Sequence, residues 1–251
     1  MVEDVANISK VLSGCRDALG VSIALDDFGT GYSSLTHLRH LPANMIKIDQ
    51  TFVRDMLDDP DDYAIIEGVI GLADAFRREV IAEGVETAEH GLLLLNMGCV
   101  LAQGYGIARP MPATELPAWI KHYRPYPEWQ VHIQHPPSGR AAFELSLKLE
   151  IHQWVRRMDD SLNAPVDVEP RWPIMNPTRC HCGRWTMRAK RESFYSDHRL
   201  GRFIQAHERM HHIGHQLMML FLQGKSVNAL AGLPELQTAH EEMLRILAEI
   251  D

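Results

Sequence analysis

The first half of the chain alternates short apolar runs with longer segments whose apolar residues recur at helical spacing. β-prone runs at 21–25, 45–49 and 80–83, with a weaker run at 100–105, predict strands. Between them the spacing predicts helices at 64–77 and 88–97, and Thr87 stands at the N-cap position of the second. Strands that alternate with helices of this length indicate parallel βαβ units and an α/β domain.

The second half lacks this alternation and predicts an all-helical domain. Long segments at 141–158, 203–223 and 236–250 carry apolar residues without helix breakers. Between the halves, prolines recur from residue 123 to residue 139, which predicts an extended linker because proline fixes φ and removes a donor. The predicted domains are residues 1–122 and 140–251, joined by this proline-rich linker at 123–139.

Charge and histidine are distributed unevenly between the halves. Residues 1–124 contain 18 acidic and 10 basic side chains, an excess that argues against a nucleic-acid polymer as partner. Ten of the 14 histidines lie after residue 124, which points to metal or proton chemistry there. Every apolar run is too short for a membrane span, and neither a secretory leader nor a disulfide framework is visible, so a cytoplasmic protein is expected.

Polar residues gather where the predicted strands end. Carboxylates, a lysine and an amide converging at one rim would suit a two-metal phosphoryl or phosphodiester site. Taken singly, each has a plainer interpretation: the aspartate pair as a turn or N-cap, the lysine with its neighbouring aspartate as a surface ion pair, the glutamine as a partner of backbone. Recurrence at four successive strand ends favours the site. The residues are Asp26, Asp27, Lys47, Asp49, Glu83 and Gln103.

The motifs at these strand ends resemble those of the EAL-domain cyclic-di-GMP phosphodiesterases. They are Leu25-Asp-Asp-Phe-Gly-Thr-Gly-Tyr-Ser-Ser-Leu35, Ile46-Lys-Ile-Asp49, Ala82-Glu-Gly-Val-Glu-Thr87, Gln103-Gly-Tyr-Gly106 and Ala108-Arg-Pro-Met-Pro112. The resemblance covers residues 1–122 and implies the C-terminal half of a (β/α)8 TIM-like barrel in a bacterial signalling enzyme. It further implies that two Mg2+ or Mn2+ ions promote hydrolysis of cyclic-di-GMP to linear pGpG.

The same resemblance assigns roles to individual residues. Asp26, Asp27 and Glu83 would be Mg2+ or Mn2+ ligands. Lys47 would orient the attacking water or steady developing charge, and Gln103 would position water or substrate. The segment from Phe28 to Leu35 matches the family's loop that couples metal binding to dimer contacts. Asp49 and Glu86 would support these groups, with Glu86 counted among the catalytic residues.

The Glu-Ala-Leu segment of the family does not occur in this sequence. The chain is therefore expected to be a fragment, a truncated or mis-started reading frame, or a chain that pairs with another half, and to be inactive alone.

Two classes of function stay open. One is a zinc-regulated phosphodiesterase; the other is a non-catalytic signalling module that senses zinc and binds nucleotide or a partner. A zinc hydrolase is disfavoured because a site with four protein ligands leaves no open position.

Cysteine and histidine recur in the second half at spacings typical of metal ligands. Cys180-His-Cys-Gly-Arg-Trp185 offers thiolates before a predicted turn at Gly183, and His207, His211 and His215 stack along one helical face. The alternatives are solvated histidines, an incidental Cys-x-Cys, and a histidine at the edge of the core at His152. A mixed imidazole and thiolate set favours zinc.

This combination resembles the chemoreceptor zinc-binding (CZB) domain. The motifs are His152 with Trp154, Cys180 to Trp185, and His207-Glu-Arg-Met-His211, covering about residues 140–251. The resemblance implies a four-helix bundle, often a homodimer, that binds one Zn2+ and acts as a sensor. The implied ligands are His152, Cys180, His207 and His211, while Cys182 and His215 stay open as competing ligands.

Overall fold

The computed structural model of the protein describes residues 2–29, 38, 40–165, 167–192 and 197–249. The chain forms two compact units. The first comprises Met1–Met56 and Asp61–Pro137, and the second comprises Leu57–Pro60 and Ser138–Asp251. The main boundary therefore lies near the C-terminal end of the predicted linker.

The first unit contains a parallel sheet flanked by helices, as the alternating pattern predicts. Its four strands in the described residues follow the order β1-β2-β3-β4: β1 (Ala24–Phe28), β2 (Met45–Ile48), β3 (Glu79–Ala82) and β4 (Leu101–Ala102). Its helices are α1 (Val2–Leu19), α2 (Gln50–Asp55), α3 (Pro60–Ala75), α4 (Ala88–Asn96), α5 (Leu116–His122) and α6 (Pro127–Gln134). The predicted N-cap is confirmed, since the Thr87 hydroxyl accepts from the His90 N–H at 3.2 Å.

Strand β2 shows how the sequence pattern orients the sheet. Ile46 and Ile48 are fully buried, and Lys47 between them is only partly covered. Because successive side chains on a strand point to opposite faces, the apolar pair fixes one face in the core. Lys47 is thereby directed to the opposite face, at the C-terminal end of the strand.

Helix α6 departs from the predicted extended linker. The prediction of extended backbone throughout 123–139 is wrong because Pro127 lies in the first turn, where a missing N–H breaks no helical hydrogen bond. Trp129 anchors the helix within the first unit: its Nε1 donates to the Ala88 carbonyl at 2.7 Å. The indole lies against Gly91, where an added Cβ would sit 2.2 Å from the ring. Proline content alone therefore did not reveal the helix within the predicted linker.

The second unit is built from helices. They are α7 (Arg140–Leu162), α8 (His181–Glu192), α9 (Asp197–Leu222), α10 (Ser226–Ala231) and α11 (Leu233–Ala248). The three predicted helices are confirmed, with α7 and α9 longer than expected. One core joins them, with Ile151, Met158, Phe203 and Met243 fully buried. Across the described parts of both units, no helix combines the length and apolarity needed to cross a membrane.

Helix α8 begins earlier than the sequence suggests. The predicted turn at Gly183 is helical instead. An added Cβ at Gly183 would lie 2.0 Å from the Pro177 carbonyl oxygen, so glycine allows the start of the helix to approach the preceding turn. Cys180 consequently lies immediately before the first turn of α8, and its sulfur accepts the Gly183 N–H at 3.3 Å.

Candidate metal centres

Three carboxylates meet at the C-terminal rim of the parallel sheet. Oxygen atoms of Asp26, Asp27 and Glu83 all lie within 4.8 Å of one another. Asp26 and Asp27 belong to β1, and Glu83 directly follows β3. Parallel strands end at one edge, so residues far apart in sequence converge there. Hard oxygen donors at this separation fit Mg2+ or Mn2+.

A bulge in β1 explains how two consecutive aspartates share one rim. The pairing of β1 with β2 shifts register between Leu25 and Phe28, and Asp27 has φ of 51°. In a regular strand neighbouring side chains point to opposite faces, so the bulge is needed to bring both carboxylates together. A non-glycine residue at positive φ is strained, and such strain concentrates at functional sites.

Lys47 pairs with two carboxylates of this cluster. Its Nζ donates to Asp26 Oδ1 at 2.7 Å and also contacts Glu83 Oε1. Gln103 Nε2 donates to the same Glu83 oxygen at 2.7 Å. The hydrogen bond to Asp26 and then that to Glu83 raise the pKa of Lys47 above its ordinary value, so the side chain is a cation and a donor at neutral pH.

The two predicted supporting carboxylates are not among the three whose oxygen atoms converge, and Asp49 contacts Asp27 of that set. Asp49 caps helix α2, accepting the Thr51 N–H at 2.8 Å, and its pKa is lowered chiefly by the Thr51 hydroxyl. Glu86 is exposed and lies outside the three-carboxylate cluster. Residues 30–35 of the expected dimer-contact loop lie outside the described residues.

A groove of about 500 Å3 lies beside the cluster and adds two residues without a role in the sequence analysis. Glu83, Glu86 and Gln103 line it together with Tyr105 and Arg109. The Arg109 guanidinium lies 4.6 Å from the centre of the Tyr105 ring. An arginine held against an aromatic ring can contact an anionic group such as a phosphate. The motif 108–112 contained Arg109, but spacing alone gave it no function.

A second cluster lies in the helical unit. Cys180 Sγ is 3.1 Å from His207 Nε2, and ligand atoms of these two residues and His211 lie within 4.8 Å of one another. All three side chains are buried. His207 and His211 lie one turn apart on α9, and Cys180 precedes α8, so two elements supply the set.

The hydrogen bonding of His211 fits a metal ligand. Its Nδ1 lies 3.0 Å from the Met175 carbonyl oxygen, which can only accept, so Nδ1 carries the proton. Nε2 then carries a lone pair, and it is buried without a hydrogen-bond partner among the described residues. Buried polar atoms are rarely left unsatisfied, and metal-bound histidines commonly donate through their other nitrogen.

Burial determines the protonation of this cluster. It lowers the pKa of His207 to about 3, with a further contribution from His211, and that of His211 to about 4. It raises the pKa of the Cys180 thiol to about 11. Both imidazoles are therefore neutral at pH 7, whereas the thiol must release a proton to bind a metal ion.

His152 is placed apart from this cluster. It is exposed on α7, where its Nδ1 lies 2.6 Å from the Lys148 carbonyl and its ring packs edge-on against His240. His215 is exposed as well. Cys182 is buried nearby but is not among the three residues whose ligand atoms converge. Of the four expected zinc ligands, the structure brings together three.

Comparison with known proteins relates most of the first unit to a known family. Residues 2–110 match the family model of the EAL domain. The chain is 44% identical over 121 residues to cyclic di-GMP phosphodiesterase PA2567 of Pseudomonas aeruginosa, covering 48% of this chain and 20% of that protein. It is 44% identical over 105 residues to cyclic di-GMP phosphodiesterase PdeR of Escherichia coli, covering 42% and 16%. The chain thus spans about a fifth of the length of such curated relatives.

Solved structures show the same similarity. The P. aeruginosa MucR phosphodiesterase in complex with c-di-GMP is 42% identical, with a TM-score of 0.41 and coverage of 43% of each chain. The EAL domain of Mycobacterium smegmatis DcpA is 41% identical, with a TM-score of 0.46 and coverage of 49% and 55%. On the sequence matches, residues 2–110 are homologous to the EAL domains of cyclic-di-GMP phosphodiesterases.

We expect the metal-free protein to lose stability as the pH falls below about 6.5, which is the ordinary pKa of a histidine side chain. The folded-state pKa values of His207 and His211 lie below that value, so unfolding takes up protons. Each histidine should lower the free energy of unfolding by about 1.4 kcal/mol for each unit by which the pH falls in this range. The measurement is urea unfolding with a chelator from about pH 7 to about pH 5. His211→Gln should flatten the slope by one proton, and an unchanged slope would contradict the assignment.

Proposed function

We propose that the first unit takes part in metal-dependent hydrolysis of cyclic-di-GMP to linear pGpG. The observation that carries this proposal is the convergence of Asp26, Asp27 and Glu83 around Lys47 within a segment homologous to EAL domains. Relatives with this similarity are named cyclic di-GMP phosphodiesterases, and the MucR structure contains c-di-GMP.

Each residue of the carboxylate site has its own role in the proposed hydrolysis. Asp26, Asp27 and Glu83 would hold Mg2+ or Mn2+, which when bound lowers the pKa of water and neutralises phosphate charge. Lys47, held as a cation, balances the carboxylates and stabilises negative charge that develops on the phosphate. Gln103 fixes the orientation of Glu83 through its amide. Water adds to phosphorus as one ester bond breaks, and the leaving ribose oxygen gains a proton.

The groove next to the cluster provides a place for the substrate. Arg109 is positioned to contact a phosphate, and the ring of Tyr105 beneath it offers a planar surface near a base. Glu86 lines the same groove, which is consistent with a supporting role close to substrate. A homodimer, expected from the family resemblance, would present two such grooves.

Hydrolysis by the full chain tests this proposal. Because a half-barrel is expected to need a second half, paired chains with Mn2+ and cyclic-di-GMP should form pGpG, and Glu83→Gln should reduce the rate at least about 100-fold because it removes a charged metal ligand. Glu67→Gln is the matched control, since Glu67 is exposed on α3. Binding of cyclic-di-GMP without turnover would favour the non-catalytic nucleotide-binding alternative. Absence of both binding and turnover would contradict the proposal.

We further propose that the second unit binds one Zn2+ and acts as a zinc sensor. The unpartnered, buried Nε2 of His211 beside Cys180 and His207 supports this proposal. The cluster joins the start of α8 to α9. Bound zinc would therefore hold together two helices whose packing forms part of the core. Occupancy would thereby alter helix packing, and with it the association of chains.

Zinc content and chelation test the second proposal. The purified chain should hold about one Zn2+ and lose it in His211→Gln, whereas His212→Gln should keep it because His212 is exposed on the same helix. Chelation should increase hydrogen exchange in α8 and α9. A chain without bound zinc contradicts zinc binding, and unchanged exchange and oligomeric state after chelation contradict sensing.

A further inference from the structure

We propose that Glu150 is the fourth ligand of the metal site formed by Cys180, His207 and His211, so that one thiolate, two imidazoles and one carboxylate hold the ion. This inference rests on the proposed zinc binding of the second unit. It departs from the set His152, Cys180, His207 and His211 that the CZB resemblance implies.

A small cavity joins Glu150 to the three converging residues. It has a volume of about 20 Å3 and is lined by Glu150, Cys180, His181, His207 and His211, among others. Roughly 10–15 Å3 of such space accommodates one water-sized particle. The cavity is therefore large enough for a single ion and too small for an organic ligand. Two carboxylates line it, Glu150 and Asp58, and Asp58 is paired with Arg157.

Helix geometry explains why Glu150, and not His152, faces this cavity. Residues advance about 100° each along an α-helix, so two positions apart they point to nearly opposite sides. Trp154 lies one turn beyond Glu150, and its ring packs 4.7 Å from that of His211, which fixes this face toward the cluster. His152 is directed outward, where its ring meets His240. Moving His152 inward would require rotating α7 and exposing Trp154.

Charge balance also favours a carboxylate. Glu150 is 9% exposed, and a buried carboxylate needs compensation by a cation. His181 Nδ1 lies 3.4 Å from Glu150 Oε1, longer than a strong charge-assisted hydrogen bond. A divalent ion with the Cys180 thiolate and the Glu150 carboxylate gives a neutral site, whereas one thiolate and three histidines leave a buried positive charge.

His181 would then act as a positioning residue. Carboxylate ligands of metal ions are commonly oriented by a hydrogen bond to their other oxygen or to the same oxygen from a neighbouring group. Nδ1 of His181 lies 3.4 Å from Glu150 Oε1, and through this contact it would orient the carboxylate. The first residue of α8 would thus steady a ligand on α7.

Co2+ and Zn2+ binding to the full chain separates the two ligand sets. Glu150→Gln should lower affinity about 100-fold and weaken the tetrahedral Co2+ absorption, because a neutral amide replaces an anionic ligand. His152→Gln should leave affinity within about twofold, since it removes no ligand. Glu144→Gln is the matched control, the same change on the same helix. X-ray absorption of the zinc-loaded chain should show one sulfur and three nitrogen or oxygen neighbours, with the outer-shell scattering of two imidazole rings.

Each result has a distinct meaning. Normal Co2+ binding by Glu150→Gln with loss in His152→Gln overturns the assignment of Glu150 and leaves zinc binding intact. Absence of metal binding by the unmodified chain overturns zinc binding itself. Because Glu150→Gln could disturb folding, Glu150→His serves as a second variant. It should retain tetrahedral Co2+ and add the outer-shell scattering of a third imidazole ring to the X-ray absorption spectrum; failure to bind in a chain with unchanged circular dichroism overturns the inference.

Discussion

The ammonium group of Lys47 is the contact on which the first site depends. Three carboxylates within 4.8 Å of one another repel strongly when no cation lies among them. Lys47 reduces that repulsion by reaching Asp26 and Glu83 from the neighbouring strand. The parallel pairing of β1, β2 and β3 sets this geometry, because it brings the ends of all three strands to one edge. The proposed divalent ions would complete the neutralisation that Lys47 begins.

The buried cluster of the helical unit differs from the carboxylate cluster in its electrostatics. Its cluster is buried, and burial keeps both histidines neutral and the Cys180 thiol protonated. A soft, tetrahedral ion that accepts thiolate and imidazole suits this environment, whereas hard Mg2+ suits the partly exposed carboxylates of the sheet. The chain therefore presents two donor sets of opposite chemical character, each formed within its own unit.

The sequence predicts the parallel sheet and its polar rim well because strand ends are marked by local patterns. Asp26, Lys47 and Glu83 each end or follow an apolar run, and the structure brings them together. Glu150 gave no such signal, since a lone glutamate on a helix is usually solvated. The nearby His152 matched a family motif more closely, although α7 turns it outward. Which of two residues on one helix faces the core depends on packing around Trp154, which spacing alone did not fix.

Helix α6 is a second feature that local sequence patterns did not predict. Its prolines predicted an extended linker, yet Pro127 begins a helix that Trp129 anchors to α4. The long helices of the second unit and the capped α4 were predictable because periodicity and capping act locally. The asymmetric bulge of β1 was not, since it results from pairing with β2. Helix α6 and the bulge of β1 thus depend on tertiary contacts, which sequence patterns do not reveal.

Anomalous diffraction from crystals of the chain grown with both Mn2+ and Zn2+ tests the central claim most directly. The account predicts manganese among Asp26, Asp27 and Glu83, and zinc bound to Cys180, His207 and His211. Data collected on either side of each absorption edge distinguish the two ions. Manganese absent from the carboxylate rim, or zinc bound away from Cys180, would contradict the account of two chemically distinct metal centres.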